Sequence, residues 1–255
     1  MKLIKIWLWR LLSYVPFTRQ CNQRKWVKNE YSGHTNDMMQ LTFLSIARFA
    51  HINRPIKGYY FEFGSHEGRT MRLAWRHFQH LFDWDFVAFD SFEGLPEIEE
   101  IDRLPIWERG KLATSEEKFI DIVTRAGMPR HRLKTVKGFF DHTLTALLVE
   151  ELLPRKAAVV YIDCDLYKST VPVLQFIHSF LQRGTVIVFD DWNCFHADPE
   201  RGERRAWHEF LHANPGLQFE DFISTDIARA FICVNPGDSA QQAAEMAVES
   251  VADIS

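Results

Sequence analysis

Apolar residues along this chain follow two rhythms. Five short runs are rich in apolar and β-branched residues: Gly58–Phe63 (GYYFEF), Asp85–Phe89 (DFVAF), Leu133–Val136 (LKTV), Ala157–Ile162 (AAVVYI) and Thr185–Phe189 (TVIVF). Runs this short and this apolar predict strands buried on both faces, as in a parallel sheet. Between them, apolar residues recur at helical spacing. Met39, Phe43, Ile46 and Phe49 mark a helix over 37–50, whose face Leu41 and Leu44 broaden. Further helices are predicted over 70–82, 115–126, 144–153, 169–181 and 202–212. Thr114 with Glu117 gives the 115–126 helix a capping-box start. Two last strand-like stretches, 217–223 and 228–234, have no helix between them, so one end of the sheet is expected to be antiparallel. The alternation predicts an α/β fold: a doubly wound, mostly parallel sheet with helices on both faces.

In such sheets, ligands bind beyond the carboxyl ends of the strands. Every predicted parallel strand delivers polar residues or glycine to that rim. The first ends in Glu62 and runs into Gly64, Ser65 and Gly68; the second ends in Asp90-Ser91-Phe92. The third leads to Gly138-Phe139-Phe140-Asp141-His142, the fourth to Asp163-Cys164-Asp165 and the fifth to Asp190-Asp191. The first turn reads E-x-G-x-x-x-G, a poor match to a pyrophosphate loop, and Glu62 would repel phosphate. An acid there suits a ligand amine, such as the methionine end of S-adenosylmethionine; taken alone, the pattern is only a tight turn. Asp90 can accept hydrogen bonds from both hydroxyls of a ribose, or cap the turn that follows. Phe92, Phe139 and Phe140 can cover an adenine or belong to the core. Asp163, Asp165, Asp190 and Asp191 are costly neighbours unless a cation compensates them, and all-oxygen ligands suit Mg²⁺ or Mn²⁺. The alternative is that Asp163 touches the cofactor while Asp190 and Asp191 cap the next segment.

Composition narrows the partners. At 255 residues and 46% hydrophobic, the chain suits one large domain with some decoration. A net charge of −4 gives no global pull toward nucleic acid. Arg201, Arg204 and Arg205 are flanked by acids and read as a solvated helix face. Cys21, Cys164, Cys194 and Cys233 form no CxxC pair and no zinc spacing, so a reducing, cytoplasmic setting is expected. The segment MKLIKIWLWRLLSYVPF is apolar but interrupted by Lys2, Lys5 and Arg10, too broken to span a bilayer or to serve as a signal peptide. It predicts an amphipathic helix, either peripheral to a membrane or packed on the main domain or across a homo-oligomer; packing is the expected outcome. The domain plan is therefore an extension over 1–36, a catalytic domain over 37–235 and a tail over 236–255.

Several of these blocks coincide with a known family. The chain resembles the macrocin-type O-methyltransferases through Gly58–Gly64 with Gly68, and through Phe89-Asp90-Ser91-Phe92-Glu93-Gly94-Leu95-Pro96. Trp107, Gly110, Ser115-Glu116, Gly138-Phe139-Phe140 and Thr143-Leu144 continue the match. Ile162-Asp163-Cys164-Asp165-Leu166-Tyr167, Ser169-Thr170 and Asp190-Asp191-Trp192 complete it, in family order. His66-Glu67, His142, Cys164 and the segment Asn193–Arg205 depart from the family pattern.

The resemblance implies a seven-stranded sheet with a reversed last strand, and S-adenosylmethionine as methyl donor. It also implies cofactor contacts at Glu62, Gly64, Asp90, Ser91 and the 138–140 loop, a divalent metal at Asp163, Asp190 and Asp191, and a hydroxylated small molecule as acceptor. The acceptor proton needs a base. His142 is the first candidate, with a solvated loop histidine as the alternative; His66, His196 and His34 are weaker. Two rival functions remain at this point: a glycosyltransferase using Asp163-Cys164-Asp165 to hold a metal and a nucleotide sugar, and a non-catalytic scaffold with a degenerate fold.

Overall fold

In a computed structural model of the chain, residues 16–27, 30 and 32–237 are described. Residues 1–15 of the amphipathic segment expected over 1–17, and most of the 236–255 tail, lie outside them. The chain divides into a unit of residues 1–43 and a unit of residues 44–255. In the first unit, helix α1 spans Pro16–Trp26, and α2 (Ser32–Ile52) begins. No helix among the described residues is long and apolar enough to cross a membrane.

The second unit is built on a seven-stranded sheet of β1 (Tyr59–Phe63), β2 (Asp85–Asp90), β3 (Leu133–Lys137), β4 (Ala157–Ile162), β5 (Val186–Phe189), β6 (Leu217–Ser224) and β7 (Arg229–Pro236). Its order is β3-β2-β1-β4-β5-β7-β6. β1 to β5 pair in parallel, and β7 runs antiparallel to both β5 and β6. The helices are α3 (Arg69–Phe78), α4 (Glu116–Arg125), α5 (Phe140–Thr143), α6 (Ala146–Leu152), α7 (Tyr167–His178) and α8 (Gly202–Ala213). This is the expected doubly wound fold, with its reversed strand inserted between β5 and β6.

The apolar runs form strands because both faces of the sheet are covered. Every residue of β4 is buried, as are all of β5 and all but the first residue of β1. Phenylalanine fills the interior: Phe63 stacks on Phe89 at 4.4 Å between centroids, and Phe176 and Phe180 of the α7 side meet Phe61 edge-on or tilted. Aromatic pairs of this kind add roughly 0.5–1.5 kcal/mol beyond their buried area.

Several boundaries differ from the sequence expectation, three of them for instructive reasons. The N-cap of α4 is Ser115, whose hydroxyl accepts from the Lys118 N–H at 3.3 Å. Thr114, the expected cap, is buried and turned toward His66 Nδ1 at 3.3 Å. The helix expected over 144–153 is α6, confined to 146–152 and capped by Thr145, and a separate helical turn, α5, precedes it where none was expected. Helix α7 begins two residues before the expected Ser169, because a distant carboxylate, Asp102, accepts the free N–H groups of Tyr167 and Lys168.

Candidate active site

The strand order reverses direction at β1 and β4, the switch point where ligands settle in open α/β sheets. Hydrogen bonds continue the sheet one residue past the strands. Gly138 N–H donates to the Asp90 carbonyl, Gly64 N–H to Phe89, Asp163 N–H to Phe63 and Asp190 N–H to Ile162, each at 2.9 Å. The residues expected at the rim thus stand in one row along its carboxyl edge.

Gly64 and Gly68 are required by packing. Gly64 has φ 84°, and a Cβ there would sit 1.9 Å from the Asp163 carbonyl oxygen. Gly68 has φ 62°, and a Cβ would meet Val123 and Phe119 at 2.8 and 3.0 Å. Glycine therefore seats the turn between β4 and α4, whatever ligand lies above it.

Glu62 and Ser65 are the reactive part of that turn. Glu62 is fully buried, and the Tyr60 hydroxyl donates to its Oε2 at 2.5 Å. Glu62 Oε1 is buried with no hydrogen-bond partner, and so is Ser65 Oγ. Burial pushes the Glu62 carboxyl up to about 8, against the opposing pull of the nearby Tyr60, Thr70 and Ser65 hydroxyls. Two unpartnered buried oxygens in one turn fit a group rich in N–H donors.

Asp90 organises the turn from the neighbouring strand. Its Oδ2 accepts from the Ser65 and His66 N–H groups at 2.7 and 3.1 Å, and its Oδ1 from Phe92 N–H at 2.6 Å. Asp90 thus caps the turn, and its Oδ1 retains further acceptor capacity while Oδ2 already meets two donors. Ser91 donates to the Gly94 carbonyl at 2.8 Å. Phe92, at φ 56°, is 5% exposed and packs on Phe119 at 5.6 Å. Phe140 meets Phe63 edge-on at 5.8 Å, and Phe139 caps α5.

The acids after β4 and β5 converge. One oxygen each from Asp163, Asp165 and Asp191 lies within 4.8 Å of the others. This group takes Asp165 where Asp190 was expected; the Asp190 carboxylate instead accepts from the Tyr161 hydroxyl. Burial, reinforced by the neighbouring acids, drives Asp163 and Asp191 well above the usual carboxylate range. Asp165 is raised to about 6 and Asp190 to about 7, again chiefly by burial. Asp191 Oδ2 is buried without a partner. The donor set is all oxygen, with an unfilled acceptor and mutual repulsion, and it fits a hard divalent cation.

Sequence reasoning missed Glu203. It is 1% exposed in the first turn of α8, its Oε2 accepts from Asp191 N–H at 3.1 Å, and its Oε1 is buried without a partner. The flanking arginines, expected on a solvated face, are engaged as well. Arg201 donates to the Ile101 carbonyl at 2.8 Å and lies over the Phe195 ring, and Arg204 donates to the Trp192 carbonyl at 2.8 Å.

The loops that follow the strands also pack on one another. Trp107, Leu166 and Phe195 form a small apolar cluster with Leu95, Ile98, Leu104 and Cys194, drawn from the loops after β2, β4 and β5. Phe195, His196 and Ala197 are all left-handed, at φ 56°, 60° and 58°, an arrangement that costs non-glycine residues free energy. His66 Nδ1 contacts the Leu112 carbonyl at 2.6 Å, tying the first turn to the loop after β2.

His142, the expected base, does not join the acids. Its side chain is 78% exposed on α5, and its contact is Asp141, 3.6 Å away.

Known proteins share this architecture. The structures of the O-methyltransferase NovP (TM-score 0.59, 20% identity, 76% of this chain and 78% of that one) and the calicheamicin methyltransferase CalS11 (0.61, 18%, 86% of each) have the same fold. In sequence, the chain is 31% identical over 109 residues to an 8-demethyl-8-(2,3-dimethoxy-α-L-rhamnosyl)-tetracenomycin-C 4'-O-methyltransferase from Streptomyces olivaceus. That match spans 40% of each protein, less than half the length of the relative. The profile of the macrocin-O-methyltransferase family matches residues 47–227, most of the sheet and all the rim acids, and the chain belongs to that family.

Proposed function

We propose that this protein transfers a methyl group from S-adenosylmethionine to a hydroxyl oxygen of a small sugar-bearing or natural-product molecule, assisted by a divalent cation. The buried, unpartnered oxygens of Glu62 and Ser65 carry this reading. They await a donor-rich group, and the methionyl ammonium supplies three N–H donors. Asp90 Oδ1 has capacity to accept from a ribose hydroxyl while the carboxylate still holds the turn. Phe92, Phe139 and Phe140 are the rings available to an adenine. Family membership and the shared fold support the same donor.

Bound there, S-adenosylmethionine supplies a methyl group already activated by the sulfonium. The protein must then align the acceptor oxygen and remove its proton, and alignment alone can supply about 7 kcal/mol or more. Asp163 and Asp191, common to the expected and observed groups, would hold the cation. The cation would lower the pKa of a bound hydroxyl. Asp165 accepts the proton: it lies within the same 4.8 Å group, and at about 6 it is ionised near neutrality yet still basic. The acceptor class rests on the relatives, which include an enzyme acting on a rhamnosyl-tetracenomycin and a calicheamicin methyltransferase.

Calorimetry with S-adenosylhomocysteine and with UDP separates this function from a glycosyltransferase. Binding of the first and not the second is expected; UDP binding alone overturns the proposal. Binding of neither favours the scaffold. Asp163→Ala should fold, bind S-adenosylhomocysteine more weakly if at all, and lose metal-dependent turnover; full activity of that variant in EDTA sinks the metal half.

A further inference from the structure

Glu203 occupies an unusual place. An acid in the first turn of a helix normally faces solvent, where it meets the positive end of the helix dipole. Here Gly202 and Glu203 are both buried. Gly202 has φ 57°, and a Cβ on it would strike the Phe195 ring at 2.7 Å. Phe195 is in turn held between Trp107, at 5.0 Å between centroids, and the Arg201 guanidinium at 4.5 Å. The start of α8 is thereby pressed against the rim, with its carboxylate turned inward.

Two contacts show what that carboxylate meets. Glu203 Oε2 accepts from the Asp191 N–H at 3.1 Å, fixing the backbone of a residue whose carboxylate belongs to the acid group. Asp191 Oδ1 also accepts from the Cys194 thiol at 3.2 Å, which leaves Oδ2 pointing elsewhere, buried and unpartnered. Glu203 Oε1 is a second unpartnered buried oxygen, on a side chain close enough to Asp191 and Asp165 to feel their charge. A side chain 1% exposed with an unmet acceptor is expensive unless a cation or its coordinated water meets it.

We propose that Glu203 is a positioning residue of the cation site, holding Asp191 through its backbone N–H and presenting Oε1 to the cation or to a water on it. The inference rests on the metal-assisted reading above and adds a residue that neither the strand-end motifs nor the family blocks contain. Groups that orient metal ligands are worth about 10- to 100-fold in metal affinity when removed.

The test uses the full chain and Mn²⁺ as probe, with affinity followed by the loss of the free-ion paramagnetic resonance signal. Glu203→Gln keeps the shape and can still accept from Asp191 N–H, but removes the charge. It is expected to weaken Mn²⁺ by about tenfold or more while holding S-adenosylhomocysteine affinity within about twofold. Glu203→Asp, which retains the charge on a shorter arm, should fall between wild type and Glu203→Gln, and it carries the test if the amide variant fails to fold. Unchanged Mn²⁺ affinity in both variants overturns the inference. So does parallel loss of Mn²⁺ and S-adenosylhomocysteine with a lowered melting temperature, the mark of a purely structural residue. Wild-type protein that binds S-adenosylhomocysteine but no Mn²⁺ overturns both this inference and the metal half of the proposed function, leaving the methyl-donor half standing.

Discussion

The Ser65 N–H donates to Asp90 Oδ2 at 2.7 Å, so a residue of β2 sets the shape of the turn after β1. Asp90 also accepts from His66 and Phe92, and one carboxylate therefore holds three backbone donors. Under the proposed function Oδ1 also takes a ribose hydroxyl, so building the turn and binding the cofactor share one residue. Asp90→Asn replaces one acceptor oxygen with an NH₂ facing N–H groups. Leaving those donors unmet costs about 1–3 kcal/mol. The variant should melt lower and bind S-adenosylhomocysteine at least tenfold more weakly by calorimetry. A variant with wild-type stability and affinity would show that Asp90 does neither job.

Glu62 makes cofactor binding a proton-linked event. With its carboxyl raised to about 8, it is mostly protonated at pH 7 in the free protein. An ammonium placed against it favours the ionised form, so binding at pH 7 should release close to one proton. Calorimetric enthalpies measured in buffers of different ionisation heat report that release directly, and Glu62→Gln should abolish it along with most of the affinity. The same shift has a stability sign. A carboxyl whose folded pKa is raised stabilises the fold below its ordinary value, and this is lost as pH climbs toward the folded one. Ligand-free wild type should lose up to about 1.4 kcal/mol per pH unit between pH ~4.5 and 8 relative to Glu62→Gln. Parallel pH–stability curves for the two proteins would rule out a buried, neutral Glu62.

What the sequence revealed and what it hid have different physical origins. The rim acids were legible because a short β-branched run such as AAVVYI, alternating with helical segments, reads as a buried strand, and the residue that ends it lies at the sheet edge. Parallel pairing then lines up Gly64, Asp90, Asp163 and Asp190, with Glu62 two residues inside that edge. Glu203 was hidden because its neighbours Arg201, Arg204 and Arg205 make α8 look solvated, whereas their guanidinium groups are spent on carbonyls and rings. The two glycines of the first turn were legible as a turn, but their cause, contact with Asp163 and α4, depends on packing that no local pattern encodes. The start of α7 was misplaced for the same reason: its cap lies 65 residues away.

That cap gives a prediction of its own. Asp102 is 1% exposed, and its two oxygens accept from Tyr167 N–H at 2.7 Å and Lys168 N–H at 3.2 Å. Arg201 binds the carbonyls on either side, so the loop after β2 is fastened to both α7 and α8. Asp102→Ala should cost about 1–3 kcal/mol. For a domain of this size, that corresponds to a fall of roughly 2–4 °C in Tm per kcal/mol. Because α7 starts directly after Asp163-Cys164-Asp165, kcat should fall as well, while S-adenosylhomocysteine affinity, set at β1 and β2, holds. Thermal melts and single-turnover kinetics decide this, and an unchanged Tm contradicts the anchoring role.

The identity of the base can be settled by setting His142 against Asp165. His142 was the natural first choice from the sequence, since histidine suits proton transfer near neutrality. Its ring is 78% exposed and contacts Asp141, whereas Asp165 shares its 4.8 Å group with Asp163 and Asp191. A base must reach the proton before its pKa matters, and general-base catalysis is worth about 10²–10⁴ in rate. His142→Ala should therefore keep kcat within about threefold of wild type. Asp165→Asn should lose at least about a hundredfold in kcat with S-adenosylhomocysteine affinity retained. It should also lose the acidic limb of the kcat–pH profile, because that limb reports protonation of the base. The converse result, a hundredfold loss in His142→Ala with the limb intact in Asp165→Asn, would return the base to α5 and require that helix to fold over the acids when the acceptor binds.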